Sequence, residues 1–192
     1  MIAWCAAQSR FAYTGAPRIR KKVNPMLKPK IEDALNAQLN EEQTAAQEYL
    51  AMTAWFEQRN LRGFASFMRA QAEEERQHAL KIFDHIFDRS GNVQLKSIAE
   101  PASDFDSPRA VFEAAYEREK GNTKSIHALY RLAGENDDYA TQAMLQWFIT
   151  EQVEEERWAE EAVGLLDVAA DNRSALLMLD ARYGDKAAEE GA

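Results

Sequence analysis

The stretch "AEEERQHALKIFDHIF", residues 72–87, contains no helix breaker and carries three consecutive glutamates followed by a histidine. Stepping along it by three and four residues gives one stripe: Phe64, Met68, Gln71, Glu75, His78, Ile82 and Ile86. At 100° per residue these all fall within about 40° of one direction, the arrangement of a helix face packed against a partner. Glu75 and His78 therefore occupy core positions of an amphipathic helix. Glu74 falls on the flank of the stripe, and Glu73 points to solvent.

The same walk works outward from this helix. Periodicity predicts helices over about 29–58, 61–89, 108–133 and 139–168, with a short fifth, "RSALLMLDAR", at 173–182. Asn60 and Gly63 mark the first connection, and Pro108 sits where a first helical turn begins. The long connection between the second and third helices is able to cross the full length of a bundle. The first seam reads Leu35, Leu39, Glu42, Ala46, Tyr49, Thr53 and Phe56; the third, Phe112, Tyr116, Glu119, Thr123, Ile126 and Tyr130; the fourth, Phe148, Gln152, Glu155, Ala159, Ala162 and Leu166. Every long helix places a carboxylate in mid-seam. The fold class is all-α, a four-helix bundle with a long crossover and a short fifth helix.

One buried, unpaired carboxylate costs several kcal/mol, so four in one core require protonation, pairing or a bound cation. No seam holds a Lys or Arg at this depth, which leaves metal as the simplest counter-charge. Glu42, Glu75, Glu119, Glu155, Gln152 and His78 offer hard oxygens and one imidazole, a set suited to iron or manganese and less so to zinc. Each feature alone has an ordinary reading: a solvated charge run, a satisfied core histidine, a wet helix face. Four seams decorated at one depth favour the metal. Tyr49, near Glu42, reads equally as a core aromatic or as a polar neighbour of the site, and Trp147 as packing.

Composition agrees. The 192 residues are 46% apolar and 29% charged, with few glycines and prolines, as expected of one helical domain. The net charge of −9 argues against nucleic acid or an anionic membrane as partner, and no segment is apolar enough to span a membrane. Lone Cys5 excludes an internal disulfide or a cysteine-rich metal module. Residues 1–25 hold five basic residues and no acid, whereas the rest hold the other 18 basic and all 32 acidic residues, a balance of −14. Segment 1–25 is a basic extension, read as a disordered arm, an upstream artefact or a targeting segment. Residues 26–183 then form the helical domain that carries the metal site and 184–192 a flexible tail.

From Met26 to about residue 183 the chain resembles the non-haem bacterial ferritins. "MLKPKIEDALNAQLNEE" (26–42) opens the first helix, "AEEERQH" (72–78) carries Glu-x-x-His, and "LQWFITEQVEEE" (145–156) carries the fourth-helix ligands. The resemblance implies that Glu42, Glu75 and His78 hold one iron, that Glu75 bridges, and that Glu119 holds a second. Gln152 and Tyr49 lie beside the pair, and Glu155 assists the second iron or stands just outside its ligands. Glu74, Glu151 and Glu154 correspond to a third iron site. The sequence departs from bacterioferritins, which have Glu-x-x-His where Gln152 and Glu155 stand, and a methionine where Arg76 stands; haem is therefore not expected.

The implied function is an iron-storage ferroxidase. Fe(II) is oxidised with O2 or H2O2 and stored as ferric mineral inside a cage of 24 identical subunits, in the cytoplasm, or in an organelle such as a plastid if residues 1–25 are a transit peptide. The rivals are another carboxylate-bridged di-iron oxidase or oxygenase, and a non-catalytic metal-binding helical assembly.

Overall fold

The computed structural model describes residues 26–190, with side chains through residue 188; the basic segment 1–25 lies outside the described residues. Five helices follow one another: α1 (Pro29–Glu57), α2 (Arg62–Asp88), α3 (Pro108–Glu135), α4 (Tyr139–Ala169) and α5 (Arg173–Glu190). The first four form the bundle. α1 pairs with α2 and α3 with α4, while α5 crosses the start of α2 and touches α4.

Local chemistry sets the helix ends. Pro29 and Pro108 stand in the first turns of α1 and α3, where a missing N–H costs nothing. Ser107 accepts from Ala110 N at 3.1 Å and Asp138 from Thr141 N at 3.1 Å, capping α3 and α4. Between α1 and α2 the chain reverses through Asn60 at φ 57°, a left-handed conformation that asparagine tolerates. α2 has no side-chain cap of its own. Asp180 of α5 supplies it, with Oδ1 accepting from Phe64 N at 2.9 Å. A Cβ on Gly63 would lie 1.7 Å from the Asp180 carbonyl oxygen, so the crossing of α5 over α2 requires glycine there.

The crossover 89–107 runs along the bundle. It begins beside Asn36, whose Oδ1 accepts from Gln94 N at 2.6 Å and whose Nδ2 donates to Asn92 O at 2.9 Å. One turn along α1, Asn40 repeats the pattern with Lys96 N at 2.7 Å and Gln94 O at 2.9 Å. Further on, Phe105 packs edge-on against Trp55, near the end of α1, with ring centroids 6.1 Å apart. The chain thus returns to the end where α2 began.

Two apolar clusters fill the bundle. One is aromatic, with Phe56, Phe64, Phe67, Phe112, Trp158 and Tyr183; the other is mostly aliphatic, with Leu35, Leu39, Ile82, Ile126, Leu145 and Phe148. A layer of buried polar side chains separates them.

Three expectations are corrected. Tyr116, Thr123 and Tyr130 are only half-buried, and Ala115, Asn122 and Leu129 take the seam of α3; in α1, Ala45 is buried and Ala46 half-buried. α5 runs through Gly184 to Glu190, past the end expected at residue 182. A cation also stands close to the carboxylate layer: Arg118, only 18% exposed, contacts Glu48 at 3.3 Å and Glu41 at 3.2 Å across α1 and α3.

Candidate metal centre

The polar layer holds Glu42 from α1, Glu75 and His78 from α2, Glu119 and Asn122 from α3, and Gln152 and Glu155 from α4, all buried. Their depth follows from sequence spacing: large apolar residues precede and follow each of them on the same helix face. Glu42, Glu75 and His78 converge so that one ligand atom from each lies within 4.8 Å of the others. His78 Nδ1 is 3.3 Å from Glu75 Oε2. Its Nε2 is buried without a hydrogen-bond partner among the described residues.

Glu119 is drawn aside by its own donors. The Tyr49 hydroxyl donates to its Oε1 in a short hydrogen bond, and Gln152 Nε2 donates to its Oε2 at 3.2 Å. Tyr49 is thus a polar neighbour of the layer. Glu155 accepts from Trp158 Nε1 at 2.6 Å. Glu42 accepts from Gln38 Nε2 at 2.7 Å and from Asn122 Nδ2 at 3.1 Å. Gln38, Asn122, Arg118 and Trp158 escaped the sequence reading, although each stands close to a recognised residue: Gln38 four before Glu42, Asn122 three after Glu119, Arg118 next to it, and Trp158 three after Glu155.

Burial dominates the proton affinities. It raises the Glu42 carboxyl, opposed by hydrogen bonds from Glu75, Gln38 and Asn122 and by the Arg118 charge. It holds Glu75 well above the usual carboxylate range, reinforced by the charges of Glu42 and Glu119. Glu119 is pushed up to about 7 by burial against the pull of Tyr49 and Gln152. Glu155 is raised well above its ordinary value by burial and by Glu119. His78 moves the other way, down to about 4, through burial and the Lys81 charge. Burial thus raises the proton affinity of all four carboxyls and favours the neutral imidazole, the form that binds metal. An unpartnered ring nitrogen, a neutral histidine and crowded acids fit a divalent cation.

Glu74, Glu151 and Glu154 lie outside the layer. Together with Glu155, Trp158 and Tyr183 they line a cleft of about 740 Å³. Glu74 Oε1 stands 4.0 Å from His78 Nε2, and Gln71 Nε2 donates to Glu74 Oε2 at 3.1 Å. Glu73 faces solvent, paired with Arg76 at 2.8 Å. Trp147 is partly exposed and sets its ring edge-on to His78, centroids 5.3 Å apart, with Lys81 Nζ 4.0 Å from the indole centroid.

The profile of the ferritin-like domain family matches residues 32–168, which span all four bundle helices. The chain belongs to the ferritin family. Among curated ferritins it is 35% identical to a bacterial non-heme ferritin of Staphylococcus aureus (strain MRSA252), over 86% of this chain and 99% of the relative. It is 36% identical, with the same coverage, to the bacterial non-heme ferritin of Staphylococcus haemolyticus (strain JCSC1435). Among solved ferritins, the open pore ferritin of the hyperthermophilic archaeon Archaeoglobus fulgidus superposes with a TM-score of 0.82 at 42% identity, covering 83% of this chain and 98% of that one. Ferritin membership joins the all-α architecture to the buried Glu42, Glu75 and His78 cluster. No helix among the described residues is long and apolar enough to cross a membrane.

Proposed function

We propose that this ferritin oxidises Fe(II) at a paired site within each subunit and stores the ferric product as mineral inside a cage of 24 copies in the cytoplasm. The observation that carries this reading is the meeting of Glu42, Glu75 and His78 within 4.8 Å, in a core with no other use for them. Fe(II) is here substrate and cargo. Glu42, Glu75 and His78 hold one ion, Glu75 bridges, and Glu119 holds the second with Gln152 alongside and Glu155 in support. Each of two Fe(II) ions gives one electron to a dioxygen molecule, which takes up two protons and leaves as hydrogen peroxide; peroxide is itself a second acceptable oxidant.

The chain's own groups handle the protons. Carboxyls held protonated by burial must release protons as cations bind, so Fe(II) affinity rises with pH through the neutral range. Tyr49 steadies Glu119 by donating to it. Glu74, Glu151 and Glu154 line the adjoining cleft and form a third site through which iron leaves the pair. The acidic balance of residues 26–192 draws Fe(II) toward the cage.

Aerobic addition of Fe(II) to the iron-free protein, followed by ferric absorbance and by particle size, tests the reading. The expected result is rapid oxidation by a large hollow particle that retains mineral, slowed about a hundredfold or more in Glu75→Ala and His78→Ala. A small oligomer that never retains mineral sinks it.

A further inference from the structure

Two neutral amides, Gln38 and Asn122, are buried directly against Glu42, and the reading above gives them no part. Gln38 stands one turn before Glu42 on α1. Its Nε2 donates to Glu42 Oε1 at 2.7 Å and to Asn122 Oδ1 at 2.6 Å. Asn122, across the interface on α3, donates Nδ2 to Glu42 Oε2 at 3.1 Å and to Gln152 Oε1 at 3.4 Å. Ser125 closes the set by donating Oγ to Gln38 Oε1 at 2.5 Å.

Counting donors shows why these orientations are fixed. The Glu42 carboxyl gives up its proton when a cation binds and then only accepts, so both amides turn their NH2 groups toward it. Each amide oxygen then needs a donor from elsewhere. Ser125 provides one for Gln38, and the second N–H of Gln38 provides one for Asn122. Flipping either amide would set oxygen against oxygen in a buried place, where an unmet acceptor is costly. Both oxygens of Glu42 are therefore held, one by α1 and one by α3, and the carboxyl shares a further hydrogen bond with Glu75. Glu75 differs. Apart from the hydrogen bond it shares with Glu42, its polar partner among the described residues is the His78 ring at 3.3 Å, so no amide clamps it.

We propose that Gln38 and Asn122 are positioning residues for Glu42, fixing the plane of its carboxylate so that one lone pair on each oxygen is aimed at a divalent cation beside Glu75 and His78. This rests on the reading of Glu42 as an Fe(II) ligand. Neutral donors suit the task, because a Lys or Arg in the same place would compete with the cation for the carboxylate. The centre then has an amide-held ligand in Glu42 and, in Glu75, one that no amide clamps.

The test uses Co(II) as a redox-stable probe, titrated anaerobically into the full-length assembled protein and followed by its visible ligand-field absorption. Asn122→Leu and Gln38→Met keep side-chain volume and remove the amide donors. In either variant the Co(II) dissociation constant at the Glu42 site should rise about tenfold, the scale of losses when an outer partner of a metal ligand is removed. The absorption bands should shift with it. An amide that merely supported the fold would instead lower the melting temperature and leave the bands of bound Co(II) in place; unchanged bands and affinity overturn the proposal. Should Asn122→Leu fail to assemble, Gln38→Met is read in the same way. If the unsubstituted protein binds no Co(II) that Glu42→Ala removes, the assignment of the site falls and the proposal with it. Normal wild-type binding that neither amide substitution changes overturns the proposal alone.

Discussion

Phe64 and Glu75 lie on the same face of α2, about three turns apart, and both are buried. Phe64 meets Phe56 and Phe112 with ring centroids 5.2 Å away and Tyr183 at 5.5 Å, so taking it from water stabilises the fold. Glu75 meets Glu42 and His78, and taking it from water raises its proton affinity well above that of a free carboxyl. One stripe of one helix thus contains a part that holds the bundle together and a part the bundle must tolerate. The apolar clusters on either side of the carboxylate layer are what make that tolerance affordable, and the layer is where a cation is needed.

The comparison breaks first at its aromatic end. Phe64→Ala should cost about 3–5 kcal/mol in chemical unfolding, the usual range for removing a fully buried ring. Its neighbours come from α1, α3 and α5, and its own N–H is held by Asp180, so little of the cavity can close. A cost below about 1 kcal/mol would mean that this cluster is not what fixes the helices.

The carboxylate end responds to pH and to metal. In the cation-free protein the folded Glu119 holds its proton up to about 7, whereas unfolded it would lose it near 4.5. Between these values the native state binds more protons, so the stabilising contribution is complete below pH 4.5 and is lost as pH rises through 7. Glu42, Glu75 and Glu155 have the same sign. His78 opposes them: its folded value of about 4 lies below 6.5, so its contribution grows with pH across that window. Four acids outweigh one imidazole, and metal-free stability should fall by on the order of 2 kcal/mol from pH 5 to 7. Zn(II) at a hundredfold excess over its dissociation constant should restore about 2.7 kcal/mol at pH 7. Thermal unfolding at the two pH values, with and without Zn(II), reads both effects; stability that climbs steadily from pH 5 to 7 without metal would contradict the protonated layer.

Residue by residue, the stripes of α2 and α4 could be read from sequence because large apolar side chains bracket their polar members, leaving only one direction for Glu75, His78, Gln152 and Glu155. In α3 the expected seam is rotated from the observed one, because Tyr116 and Tyr130 resemble core residues. Tyr116 instead lies half-buried with Lys120 Nζ 5.0 Å from its ring, while small Ala115 and Ala133 fill the seam with no periodic signal of their own. Asn122 was hidden for another reason: its burial makes sense only beside Gln38, 84 positions away. Gly184 looked like the end of α5. A Cβ there would stand 3.1 Å from the Gly63 Cα, so this glycine serves a close crossing within a helix that continues past it.

The crossover offers a third region and the smallest effect. It has neither the aromatic cluster's apolar area nor the carboxylate layer's charge, and much of it is exposed. Its first part is attached to α1 by hydrogen bonds at Asn36 and Asn40, and Phe105 packs against Trp55 further on. Asn40 both accepts from Lys96 N at 2.7 Å and donates to Gln94 O at 2.9 Å, replacing two bonds the loop backbone would otherwise make to water. Because water can take them back, Asn40→Ala should cost only about 1 kcal/mol. The loss should also be local: the amide of Lys96 should exchange with solvent about ten times faster, while core amides of α2 keep their protection. Global loosening after this single change would show that the crossover, rather than the aromatic cluster, sets the spacing of the two helix pairs, reversing the ranking of Phe64 over Asn40.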